Sequence, residues 1–274
     1  MRPLLISALA VALVASVATP MLFAKTAAPP AGLSAAVSSP NRSEANRARD
    51  KYRNPAQTLA FFGIKPTHTV VEIWPSSGWY SEILAPYLQA KGKLILAPPQ
   101  RGAEGVAKMV AAKPNVFGKT GSANFPAAFG GTGVTPGTAD AVLTFRNVHN
   151  FRMGSGHPEN ADYSATAFKE MFAMLKPGGV LGIEDHRLNE DADVAREKSS
   201  GYIKVSTVRA MAEAAGFVFV GSSEVNANPK DTKDYPKGVW TLPPRFAEKD
   251  VDREKFAAIG ESDRMTLKFM KPKK

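Results

Sequence analysis

The chain has 274 residues, a formal net charge of +10 and no cysteine, which excludes disulfides, thiol nucleophiles, Cys-ligated metals and lipid attachment through an N-terminal Cys. Hydrophobic residues at 44% and charged residues at 22% suit a globular chain, long enough for one large α/β domain with accessory segments. The positive charge is dispersed except at Lys268, Lys271, Lys273 and Lys274, and no basic-aromatic interleaving appears, so nucleic acid is not an expected partner.

Residues 1–24 read as a secretory signal. Arg2 supplies the positive start, the run from Leu4 to Val17 is apolar apart from Ser7 and Ser16, and small residues offer cleavage after Ala18 or Ala24. The run falls short of the roughly 20 residues of a membrane span; an uncleaved anchor is the other reading. No twin-arginine pair is present, so the expectation is the general secretion route, a periplasmic or extracellular protein, and no stable membrane span after cleavage. Residues 25–40, rich in Ala, Pro and Ser, predict a disordered linker, and together with a charged helical segment (41–52, N-capped by Ser43) they precede the main domain, taken as 51–274. Residues 57–62 predict a short helix ended by Gly63, with Phe61 and Phe62 as core anchors.

Residues 69–86 carry the strongest signal. Val70, Val71 and Ile73 predict a strand, Pro75-Ser76-Ser77-Gly78 a turn, and Tyr80, Ile83, Leu84, Tyr87 and Leu88 a helix. Such a turn cradles a polar or anionic group with free backbone N–H groups. Strands are then predicted at 93–97, 115–117, 139–145 and 180–183, with helices at 105–112, 163–175 and 206–215. Residues 118–137, rich in Gly, Thr, Ala and Pro, predict a functional or mobile loop, and 176–179 a turn. Segments 217–221 and 265–270 close the pattern, which is that of a doubly wound, mostly parallel sheet.

Polar residues gather behind two strands: Arg146, Asn147, His149 and Asn150, then Glu184, Asp185, His186 and Arg187. An open parallel sheet places ligands beyond such strand ends. His149 or His186 is a candidate base, Asp185 its orienter, and Arg146 or Arg187 a holder of an anionic substrate group. Structural hydrogen bonding is an equal reading for each, and Glu184-Asp185-His186 beside His149 could instead bind a metal, although strand neighbours face opposite ways. No metal is expected. His68 reads as structural, and His157 as part of a lid or solvated. Tyr235, Trp240 and Phe246 either cover the site or pack.

The segments EIWPSSGWYSEILAP, ADAVLTFRNVHNF, FKEMFAMLKPGGVLGIEDHR, MAEAAGFVFV and SDRMTLKFMKP resemble class I S-adenosylmethionine-dependent methyltransferases, and more closely an exported, predicted-methyltransferase subgroup, over residues 54–272. The resemblance implies a seven-stranded sheet with an antiparallel last strand, S-adenosylmethionine across the first strand ends, and a small-molecule or envelope acceptor. With this fold, Glu72, Ser76, Ser77, Gly78, Trp79, Arg146 and Asn147 are the candidates for the cofactor, while the strand-end residues His149, His186 and Asp185 are those for catalysis and Arg187 that for substrate. Trp74 and Ser76 stand at the first two of three family glycine positions, and Ala97-Pro98-Pro99 lacks the acidic residue that usually holds the ribose. These departures favour a second reading, a non-catalytic or repurposed protein of the same fold that binds another small ligand.

Overall fold

A computed structural model describes residues 28–273; the predicted signal at 1–24 lies outside them. Short helices open the chain: α1 (Ala31–Val37), α2 (Glu44–Arg47), α3 (Asp50–Arg53) and α4 (Pro55–Phe62). The Ser43 hydroxyl accepts from Asn46 N at 3.3 Å, capping α2 as expected. The expected disordered linker is instead partly helical. Within α1, Leu33 is fully buried and Ala36 buried, so two apolar side chains anchor an otherwise linker-like composition.

The alternating part follows as β1 (Thr69–Ile73), α5 (Ser81–Leu88), β2 (Lys93–Ala97), α6 (Ala103–Ala112), α7 (Pro114–Phe117), β3 (Gly121–Ser122), β4 (Ala139–Phe145), α8 (Val148–Arg152), α9 (Ser164–Met174) and β5 (Leu175–Leu188). Then come β6 (Ile203–Lys204), α10 (Val205–Ala214), β7 (Val218–Ser223), α11 (Arg253–Ile259) and β8 (Arg264–Met270). The strands form one sheet in the order β3-β2-β1-β4-β5-β8-β7, with β6 paired to the end of β5. All pairings are parallel except those of β8 with β5 and β7, so the last strand runs antiparallel, as the resemblance implies.

Alternation along the strands builds a core on each face. Val71 and Ile73 join Val142, Leu181, Phe168 and Val208 on one side. Val70, Leu94 and Leu143 meet Leu59, Phe62, Ile83 and Leu84 on the other. Gly182 is needed where Phe62 lies against β5: a Cβ there would come within 2.7 Å of both Phe62 and Leu143. Truncating the fully buried Phe62 to Ala would cost about 3–5 kcal/mol.

Two predicted elements differ. Residues 115–117 belong to helix α7, because Pro114 starts it and Val116 and Phe117 pack on the α5 side. The edge strand is the two-residue β3 inside the predicted loop. The predicted turn at 176–179 lies within β5, where the register against β4 shifts between Ala139 and Ala141. Among the described residues no helix is long and apolar enough to cross a membrane.

Candidate active site

Beyond the carboxyl ends of β1, β2 and β4 lies a cavity of about 530 Å³. Strand order reverses between β1 and β4, which is where such sheets bind ligands. The loop after β1 has left-handed backbone at Trp74 (φ 50°), Ser76 (φ 54°) and Gly78 (φ 78°). The three family glycine positions therefore keep the backbone that glycine serves, although two carry side chains. The Trp74 indole is drawn to the α8 side, where it donates to Phe125 O at 2.8 Å and meets the Phe151 ring edge-on at 5.3 Å. Asn147 ties the loops together by donating to Ile73 O at 3.0 Å.

Glu72 faces the α5 side of β1 and is 3% exposed. Ser81 donates to its carboxylate at 2.6 Å, but burial dominates and pushes the Glu72 carboxyl up to about 7.

A second constellation spans the ends of β4 and β5. Asp185 is fully buried; one oxygen meets His149 Nδ1 at 2.6 Å and accepts from His186 N at 2.7 Å, and the other accepts from His149 N at 3.0 Å. With Nδ1 committed to the carboxylate, His149 has Nε2 left for the cavity that it lines. The His186 ring lies 5.0 Å from that of His149, and its Nδ1 meets Ser262 Oγ at 2.5 Å. Burial, then His149, Arg146, Arg264 and Arg53, hold the His186 imidazole well below the usual range. His149, Asp185 and His186 each offer a ligand atom within 4.8 Å of the others, so they could hold a metal ion. The arginines that keep His186 neutral oppose a dication there, and an oriented base is the reading that the charges favour.

Four guanidinium groups surround this end of the site. Arg49 and Arg53 pair with Glu261 at 2.7 and 2.9 Å, and Arg264 bridges Glu261 at 3.2 Å and Glu184 at 2.9 Å. Burial opposes the charge of Glu261, yet Arg53, Arg264 and Arg49 bring its carboxyl down to about 2. Arg146, left-handed at φ 60°, faces the same group from the end of β4.

Of the predicted residues, Glu72, Ser76, Trp79, Arg146, Asn147, His149 and His186 line the cavity, and Asp185 stands behind His149. Ser77 lines an adjoining recess. Gly78 lines neither; it admits Met109, whose sulfur would lie 2.4 Å from a Cβ. Arg187 is not brought to the site. Its side chain points away from that of His186, pairing with Asp263 at 2.7 Å and Glu224 at 2.9 Å. Trp79 lines the cavity yet also packs: its ring lies under Arg42 and Arg53, and its N–H donates to Asn46 O. Trp240 reaches the cavity, whereas Tyr235 and Phe246 pack against Phe256 and Arg253. His157 packs on Phe129 and Tyr163. Sequence reasoning missed Arg53, Arg49 and Ser262, which come from segments flanking the alternating core, and Arg101, which sits after β2 without a motif.

S-adenosylmethionine fits this site by backbone more than by side chain. The left-handed loop is kept, and the cavity volume is in the range of small-molecule sites, about 300–1,000 Å³. At the end of β2 the walls are Pro98, Pro99 and Arg101, with no carboxylate for ribose hydroxyls.

No protein-family model matches the chain, and no curated protein matches it. Solved structures share its fold. A SAM dependent methyltransferase from Aquifex aeolicus superposes with a TM-score of 0.53 at 17% identity, covering 82% of this chain and 93% of that one. The [4+2]-cyclase SpnF gives 0.55 at 15% identity, over 86% of this chain and 85% of the other. An arsenic(III) S-adenosylmethionine methyltransferase from Chlamydomonas reinhardtii gives 0.51 at 13% identity, over 89% and 74%. The chain has the Rossmann-like fold of the class I methyltransferases.

Proposed function

We propose that the chain is an S-adenosylmethionine-dependent methyltransferase for a small-molecule acceptor, with His149 as general base. The observation that carries this reading is the His149–Asp185 pair, a buried carboxylate fixing an imidazole at the wall of the strand-end cavity. The loop around Trp74 and Ser76 would hold the amino-acid end of the cofactor, and Pro98, Pro99 and Arg101 its nucleoside. Bound there, S-adenosylmethionine supplies an electrophilic methyl group.

The chain's own residues then align the acceptor and move one proton. His149 Nε2 takes the proton from the acceptor oxygen or nitrogen, and Asp185 stabilises the imidazolium that forms without itself becoming protonated. Trp240 and Phe145 supply apolar wall that excludes water. His186, held neutral, adds no charge beside the forming imidazolium. We further propose that the protein acts outside the cytoplasm, as a member of the exported subgroup; residues 1–24 support this. The missing carboxylate after β2 favours the second reading, a protein of this fold that binds another small ligand.

The test incubates the chain with S-adenosylmethionine and a low-molecular-weight extract and reads S-adenosylhomocysteine by mass spectrometry. Product is expected with the natural chain, and His149→Ala should lower its rate on the order of 10²–10⁴-fold. Equal rates in both would remove His149 from this role. No product together with no cofactor binding would leave the second reading.

A further inference from the structure

Beside the main cavity lies a recess of about 210 Å³, walled by Arg49, Arg53, Arg146, Pro243, Glu261 and Ser262. It shares Pro75, Ser76, Trp79, Arg146, His186 and Trp240 with the main cavity, so the two adjoin between the loop after β1 and His186, whose ring lies 5.0 Å from that of His149. Its charge is unbalanced. Among the described residues Arg49, Arg53, Arg146 and Arg264 face the carboxyl groups of Glu261 and Glu184, and Arg245 adds a further cation to the wall, so positive charge is in excess. Arg146 also faces Glu72, a carboxyl about half protonated near neutral pH. Arg53 is 2% exposed, and its Nη1 is buried with no partner among the described residues; Arg146 Nη1 is the same. Burial, then the facing Arg146, hold the Arg53 guanidinium well below its usual range, so the two groups repel.

Buried charge is retained in a fold when something neutralises it. A guanidinium pair with spare donors matches the two or three oxygens of a carboxylate or phosphate. The recess also has a direction. Residues between β7 and β8, including Trp240 and Pro243, roof it, and His186 at the end of β5 walls it. The wall of Pro98, Pro99 and Arg101, proposed for the nucleoside, belongs to the main cavity and not to the recess. An anionic group held here would set the rest of its molecule against His149.

We infer that this recess is an anion-binding subsite for the acceptor, and that the acceptor carries a carboxylate or phosphate held by Arg53 and Arg146. That the held molecule is the acceptor rests on the methyltransferase reading; the anion subsite does not.

The test titrates the full chain with inorganic phosphate, and separately with succinate, by calorimetry at constant ionic strength. Saturable binding is expected in the natural chain and in Arg187→Gln, which lies outside the recess. Arg146→Gln should weaken it at least tenfold, with a melting temperature, measured without anion, equal to or above that of the natural chain. Should Arg146→Gln not fold, Arg146→Lys carries the test, since it keeps the charge but loses the fork and should weaken binding several-fold. No saturable binding, or binding unchanged in the Arg146 variants, overturns the subsite. The titration is then repeated with saturating S-adenosylhomocysteine, which has a carboxylate of its own. Phosphate binding that persists supports the acceptor assignment; displacement gives the recess to the cofactor's carboxylate and overturns it. Phosphate binding with no S-adenosylhomocysteine binding removes the methyltransferase reading and leaves the anion subsite standing.

Discussion

Replacing Glu72 by Gln should make the protein more stable in mildly alkaline buffer and leave it nearly unchanged in mild acid. Glu72 is 3% exposed, and burial lifts its carboxyl from an ordinary 4.5 to about 7. A raised carboxyl pKa means that the folded state holds the proton more tightly than the unfolded one. Its stabilisation is complete below about pH 4.5 and is lost as pH rises through about 7. At 1.36 kcal/mol per pH unit across this window, the natural chain should lose on the order of 2–3 kcal/mol through this group between about pH 5 and pH 8. Gln has no proton to lose, and its amide oxygen can accept the Ser81 hydroxyl, which now bonds Glu72 at 2.6 Å. Urea unfolding of both proteins at the two pH values, with ionic strength fixed, isolates the effect because all other titrating groups are shared. A stability difference that stays constant with pH would refute the burial argument.

Three further outcomes follow from the same geometry. His186, held neutral by burial and its cationic neighbours, should show ring nitrogen chemical shifts that stay constant from about pH 5.5 to pH 8; a titration near 6.5 would contradict the charge assignment. The loop after β1 should answer oppositely at its two substituted positions: Ser76→Gly relieves a left-handed residue and should stabilise by about 0.5–1 kcal/mol in chemical denaturation. Trp74→Gly should instead destabilise by about 3 kcal/mol, since it removes the indole, its Phe125 hydrogen bond and its Phe151 contact. Asp185→Asn should lower methyl transfer on the order of 10²–10⁴-fold while cofactor affinity changes little, read as initial rate against calorimetric Kd.

The strand, turn and helix at residues 69–88 were legible because β-branched alternation and helical spacing adjoin there, and the turn residues mark the boundary. Edge strand β3 was not, because two residues have no period to read, while the nearby Val116 and Phe117 mimic a strand. Composition suggested disorder around α1, but one fully buried Leu33 outweighs a linker-like sequence. The histidines and Asp185 could be found by the rule that polar residues at parallel strand ends gather. The same rule misled at Arg187, since alternation turns its side chain away from that of His186. Arg53 and Glu261 lie 208 residues apart in the chain, and only the folded structure brings them together.

The most direct measurement is a calorimetric titration of the full chain with S-adenosylhomocysteine. Saturable one-to-one binding is expected, weakened when a bulky side chain is placed on the cavity wall by Val106→Trp. No heat and no thermal shift at about millimolar ligand would contradict it, and would show that the fold has kept the cradle while losing the cofactor.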